Sequence, residues 1–70
     1  QQTGIYQITF DQKFVDYPSV IATQHYPSIT GNTLDNAVVI SLKQESCTIK
    51  CGNSKGSASD RHFSFLCIGL

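Results

Sequence analysis

The pattern of apolar residues is typical of β-strands in every patterned segment of this chain, and no stretch repeats apolar residues at the three- and four-residue spacing of a helix. In residues 5–10, for example, Tyr6, Ile8 and Phe10 share one face, as in a half-buried strand. The same period of two recurs in residues 20–24, 37–43, 46–51 and 62–70. The pattern therefore predicts an all-β fold without a helix.

The alternation also predicts which side chains are buried. Residues 37–43 and 46–51 are expected to form a hairpin, and its predicted core-facing side chains are Val38, Ile40, Leu42, Cys47, Ile49 and Cys51. Phe14 is expected to close one end of the core. Residues 26–29 are expected to continue the second strand or to form a short edge strand, because Pro27 suits an edge.

Seventy residues make one domain, residues 1–70, with a small margin of stability, because such a chain buries only about 60% of the surface it exposes when unfolded. Small domains usually gain disulfides, a metal or a partner subunit. The three cysteines cannot all pair, and the Cα atoms of Cys47 and Cys51 in one strand would lie about 13 Å apart, too far to bridge. Buried, reduced thiols and assembly inside a cell are the favoured interpretation.

A zinc site made from Cys47, Cys51, His62 and Cys67 is not predicted, because structural zinc prefers cysteines close together on a turn rather than in a strand. With no metal and no other cofactor predicted, subunit association remains as the source of stability. The last strand carries apolar residues on both faces, as a strand at a subunit interface does. The predicted interface residues are Phe63, Phe65, Leu66, Ile68 and Leu70.

The net charge is zero, 14% of residues are charged, and the basic residues are scattered among acidic ones. This balance argues against nucleic-acid binding, which requires a basic surface. No apolar run reaches the roughly 20 residues needed to span a bilayer, so membrane insertion is not predicted. Because the chain begins at Gln1 rather than Met, it is expected to be a piece of a longer protein.

The order of several motifs resembles that of the H-type lectin-like sandwich and of the modules that end bacteriophage tail fibres and viral attachment proteins. The motifs are Gly-Ile-Tyr-Gln-Ile-Thr-Phe at residues 4–10, Phe14, Pro-Ser-Val at 18–20 and Phe-Ser-Phe-Leu-Cys-Ile-Gly at 63–69. Residues 33–39 and the loop at 56–61 are particularly similar to fibre-tip modules. The resemblance implies a small antiparallel β-sandwich of about six strands that assembles as a homotrimer.

The resemblance further implies a C-terminal tip domain of a viral or phage fibre, which aligns three chains and presents loops to a host receptor such as a glycan. Such a protein would be part of the virion and would assemble in the host cytoplasm. Two alternatives remain: a carbohydrate-binding lectin subunit, which would be extracellular, and a purely structural trimerisation cap. The chain lacks tryptophan and is shorter than typical H-type lectin domains, so no sugar-contact residue can be carried over.

Aromatic rings and planar hydrogen-bonding groups are the side chains that recognise sugars. The candidate ligand-binding residues are Tyr17, His25, Tyr26, Asp60 and Arg61. A structural interpretation competes for each of them: Tyr26 would pack over a sheet edge, and Asp60 with Arg61 would form an exposed or intersubunit ion pair. An enzyme is not predicted, because the two histidines, acidic residues and serines form no ordered catalytic motif.

Overall fold

A computed structural model describes residues 2–69 and contains five β-strands and no helix in that range. The strands are β1 (Ile5–Thr9), β2 (Ser19–Gln24), β3 (Ala37–Leu42), β4 (Ser46–Cys51) and β5 (Phe63–Ile68). They form two antiparallel sheets with the strand orders β1-β4-β3 and β2-β5. The all-β prediction is confirmed. Residues 26–29 form bends rather than a sixth strand.

The core lies between the two sheets and is centred on β4, which pairs with β1 on one side and β3 on the other. Cys47, Ile49 and Cys51 on the inner face of β4 are at most 1% exposed, so their prediction as core residues is confirmed. Tyr6 and Ile8 of β1 lie opposite Ile49 and Cys47 and pack against this cluster. Among the described residues, the buried hydrophobic cluster contains only Ala37, which is 8% exposed, besides these three side chains of β4.

The prediction that Val38 and Ile40 face the core is wrong, whereas Leu42 lies opposite the buried Cys47 and is therefore on the inner side, with 37% of it exposed. Pairing with β4 places Ala37 opposite Cys51 and Val39 opposite Ile49, so Ala37 and Val39 point inwards. Val38 and Ile40 are about half exposed, and the register shifts between Val39 and Ser41 at a β-bulge. Strand β3 is almost entirely apolar, so its own sequence pattern does not determine which of its two faces is buried.

In the second sheet, β2 and β5 alternate as predicted. Val20 and Ala22 of β2, with Phe63 of β5, pack against the core from the inner face. The rings of Phe63 and Tyr6 connect the two sheets with centroids 5.1 Å apart. At the opposite end of the core from Phe63, the half-buried Phe14 packs edge-on against Phe10 at 5.3 Å.

The three cysteines are free in this structure, and burial raises the pKa of each thiol. Unfolded thiols ionise near pH 8.5, so above that pH the folded state binds more protons than the unfolded state. We therefore expect the free energy of unfolding to decrease as the pH rises from about 8.5 towards the raised pKa values. Urea unfolding at pH 7.5 and 9.5 measures this loss.

A Cys51→Ala variant provides the control for this pH dependence, because it removes one of the titrating thiols. Its stability should fall less between the two pH values than that of the parent chain. Keeping the upper pH at 9.5, below the ordinary tyrosine pKa of about 10, limits the contribution of Tyr6, whose pKa is also raised. An equal loss in the variant and the parent would show that the Cys51 thiol does not cause it.

Candidate functional site

The structure separates the predicted ligand-binding residues into two groups. Tyr17 precedes the start of β2, whereas His25 and Tyr26 follow its end, and the strand between them is about 17 Å long. His25, Tyr26, Asp60 and Arg61 are brought together with His62 around one open cavity of about 350 Å³. This end of the fold, formed by the β2–β3 and β4–β5 connections, is the candidate site.

Arg61 is the centre of the site, and its guanidinium is held by several neighbours. Its Nη1 donates to Asp35 Oδ1 at 3.2 Å and to Gln24 Oε1 at 3.4 Å. Its Nε donates to Ser59 Oγ at 3.5 Å, and its Cζ lies over the Tyr26 ring, 5.4 Å from the centroid. A guanidinium fixed by these contacts is pre-organised, and only 23% of the side chain is exposed.

Asp35 is the partner of Arg61 and its side chain is 1% exposed. A tight turn places it: Asn32 N–H donates to Asp35 Oδ2 at 2.9 Å, and Leu34 N–H donates to Asn32 Oδ1 at 2.8 Å. Asparagine and aspartate favour such turns because their side chains replace main-chain acceptors. The turn thus presents a buried carboxylate to a cation that lies far away in sequence.

Asp60 does not pair with Arg61 within the chain, so the predicted exposed ion pair between these neighbours is wrong, and an intersubunit pair stays a prediction. The Asp60 carboxylate instead accepts from Gly4 N–H at 2.7 Å and from Tyr6 Oη at 3.0 Å. Tyr6 Oη in turn accepts from Arg61 N–H at 3.2 Å. Burial and the hydrogen bond to Asp60 raise the pKa of Tyr6. Adjacent residues in an extended chain point to opposite sides, which gives the two charges different partners.

Gln24 was missed in the sequence, although it links the two sheets at this end. Its Nε2 donates to the carbonyl oxygens of Asn36 and Gly52, at 2.8 and 3.0 Å. Asn36 precedes β3 and Gly52 follows β4, so one amide joins three strand ends. Gln24 continues the inward alternation of Val20 and Ala22, and a polar residue at an inward position was the available signal.

The Tyr26 ring packs against other residues of the same chain. Arg61 lies over it, and Gly31 approaches so closely that a Cβ at that position would lie 2.9 Å from the ring Cγ. These contacts favour the structural interpretation of Tyr26 over a sugar-stacking platform. His25 and His62 are exposed and line the cavity, and neither is held by the network around Arg61.

His25 Nε2 lies 2.6 Å from Ser64 Oγ, a pair of residue types that also occurs in hydrolases. Catalysis by such a pair needs an acid that orients the histidine and donors that stabilise an oxyanion. The carboxylates of Asp35 and Asp60 instead accept the hydrogen bonds of Arg61, Asn32, Gly4 and Tyr6. The histidine–serine contact is an exposed hydrogen bond that joins the residue after β2 to β5.

Comparison with models of known families, with curated proteins and with solved structures finds no match to this chain. The resemblance to H-type lectin-like and fibre-tip modules therefore stays a prediction.

Within residues 2–69, no group of three or more His, Cys, Asp or Glu side chains could hold a metal ion. The same part of the chain has no helix of the length and hydropathy needed to cross a membrane.

A second, larger cavity of about 740 Å³ lies at the other end of the fold, between β1 and β5. Phe10, Phe14 and Phe65 line it, and Val15 at its rim is 82% exposed. Phe65 is on the inner face of β5, yet 45% of it is exposed because the two-stranded sheet leaves this end of the core open. The five predicted ligand residues do not line this cavity.

Proposed function

We propose that this chain is the homotrimeric C-terminal tip domain of a viral or phage fibre or attachment protein, which joins three chains and binds a host receptor. The observation that carries this proposal is a broad apolar surface on a domain with a very small core. Large apolar side chains on β2, β3 and β5 are more than half exposed, whereas the buried hydrophobic core of the described chain consists of only four residues. Surfaces of this kind mark interaction sites.

Receptor binding is assigned to the candidate site because it combines a rigid frame with an accessible rim. Arg61, Asp35 and Gln24 fix the frame through a hydrogen-bonded network, and within residues 2–69 every buried side-chain nitrogen or oxygen has a partner. His25 and His62 line the open cavity beside it. Loops held on a rigid scaffold are the usual place of recognition.

A glycan array probed with the labelled, assembled protein tests receptor binding. We expect retention of a subset of glycans, and loss of that retention in a His62→Ala variant, because His62 lines the cavity. A Tyr17→Ala variant is the matched control at the opposite end of β2. Failure to retain any glycan or host-cell surface, or equal loss in both variants, would contradict receptor binding at this site.

A purely structural trimerisation cap is the second candidate. It is favoured because the Tyr26 ring, the Arg61 guanidinium and the Asp60 carboxylate all contact other residues of the chain. Few polar groups of the site are then free to bind a ligand. Sedimentation equilibrium separates the two questions: a mass three times the single-chain 7.7 kDa supports both trimeric proposals, and a glycan signal then distinguishes the tip from the cap.

A further inference from the structure

The outer face of the β2–β5 sheet carries a compact apolar patch. Ile21 lies directly opposite Leu66, and Ile68 follows on the same face of β5. These side chains are 63%, 55% and 61% exposed. Directly opposed residues in an antiparallel pair have Cβ atoms about 5 Å apart, so the three side chains form one continuous surface. We refer to Ser19, Ile21, Thr23, Ser64, Leu66 and Ile68 as the β2–β5 outer face.

No residue of β2 or β5 is charged. The remaining members of the outer face are serine and threonine, whose hydroxyls cost less to remove from water than a charge does. The outer face of the other sheet differs, because Val38 there lies opposite the exposed Lys50. Natural sheets usually protect exposed edges and faces with such charges. Depletion of charge is also the signature of an interface core.

The accessible surface area of the single chain is larger than expected, as it would be for a subunit separated from its oligomer. Its accessible surface area is 5008 Å², whereas a folded monomer of 7.7 kDa exposes about 4,300 Å². The excess of about 700 Å² is close to the roughly 800 Å² that each partner contributes to a stable interface. A neutral patch can also meet an identical patch without repulsion between like charges.

We propose that the β2–β5 outer face binds the same face of further copies of this chain, so that three faces meet along the axis of a homotrimer. This inference rests on the proposed function for its trimeric stoichiometry. It also refines the predicted interface: Leu66 and Ile68 belong to it and Ile21 joins them, whereas Phe63 and Phe65 lie on the inner face. Leu70 lies outside the described residues.

Sedimentation equilibrium of the full chain and of single variants tests the interface. Leu66→Glu places a charge at the centre of the patch, and we expect it to weaken association at least about 100-fold, leaving a single-chain mass of 7.7 kDa. Val38→Glu is the matched control, with a similarly exposed apolar residue on the other sheet, and it should remain trimeric. Mixing Leu66→Glu with Leu66→Lys should restore association in part, because two of the three contacts in a mixed trimer then join opposite charges.

Amide NMR spectra establish that each variant is folded. If Leu66→Glu proves unfolded, the milder Ile21→Ser variant replaces it, with an expected rise of at least about tenfold in the dissociation constant. A trimer that persists in folded Leu66→Glu, or an unchanged dissociation constant in Ile21→Ser, would overturn the interface while leaving the proposed trimeric function intact. A parent chain that stays monomeric at millimolar concentration would overturn both.

Discussion

Replacing Arg61 with alanine is expected to lower the free energy of unfolding by about 3 kcal/mol, because it leaves the Asp35 carboxylate buried without its cation. Asp35 is 1% exposed, so water cannot take the place of the guanidinium without rearrangement of the turn around it. The same substitution also removes the contacts of Arg61 with Gln24 and Tyr26. Urea unfolding followed by circular dichroism measures the loss.

Lys55→Ala is the control for this experiment, since Lys55 is an exposed cation in the same β4–β5 connection. It should change stability by less than about 0.5 kcal/mol. A double-mutant cycle with Asp35→Asn isolates the pair, and a coupling of about 1–3 kcal/mol between Arg61 and Asp35 is expected. Additive effects of the two substitutions would show that the ion pair does not hold the loops together.

Replacing Gly4 with alanine should destabilise the domain by about 3 kcal/mol or more, through two costs that add at one residue. Gly4 has a φ of +73°, a conformation that residues with a Cβ rarely adopt. An added Cβ would lie 2.6 Å from Ser59 N and 2.9 Å from Cys51 O, both main-chain atoms. Neither can withdraw, because Ser59 N–H donates to Cys51 O within the same structure.

Gly56→Ala separates the two costs of the Gly4 substitution. Gly56 has a φ of +81°, but an added Cβ would meet nothing within 4 Å. Its expected loss is therefore only the conformational cost, about 1 kcal/mol. Thermal unfolding of both variants beside the parent chain measures the difference. Equal losses would mean that the close approach of residues 4, 51 and 59 carries no additional energy.

Period-two patterns predicted the strands well where polar residues separate the apolar ones. In β4, Thr48 and Lys50 mark the outer face clearly, and the buried positions of Cys47, Ile49 and Cys51 follow. In β3, five of six residues are apolar, so the buried face depends on pairing with β4 and on the bulge. Register between strands is a tertiary property that the local pattern of one strand does not contain.

The candidate site was predicted only in part, for a similar reason. Sequence proximity favoured Asp60 as the partner of Arg61, but the structure pairs Arg61 with Asp35 in another loop. No local signal connects these two residues, because the contact exists only after both sheets are packed. Tyr17 was grouped with Tyr26 by residue type, and the length of β2 separates them. Residue types identify possible ligand groups, whereas topology decides which of them meet.

The strand pairing has a consequence for the time course of folding. Among these strands, only β3 and β4 are neighbours both in sequence and in a sheet. Strand β1 can pair only after β4 has been synthesised, and β2 only after β5. Closing the long loops between distant strands costs entropy before their contacts form, so the β3–β4 hairpin is the natural nucleus. During synthesis, the uncharged strand β2 therefore emerges well before its pairing partner and stays vulnerable to aggregation until β5 arrives.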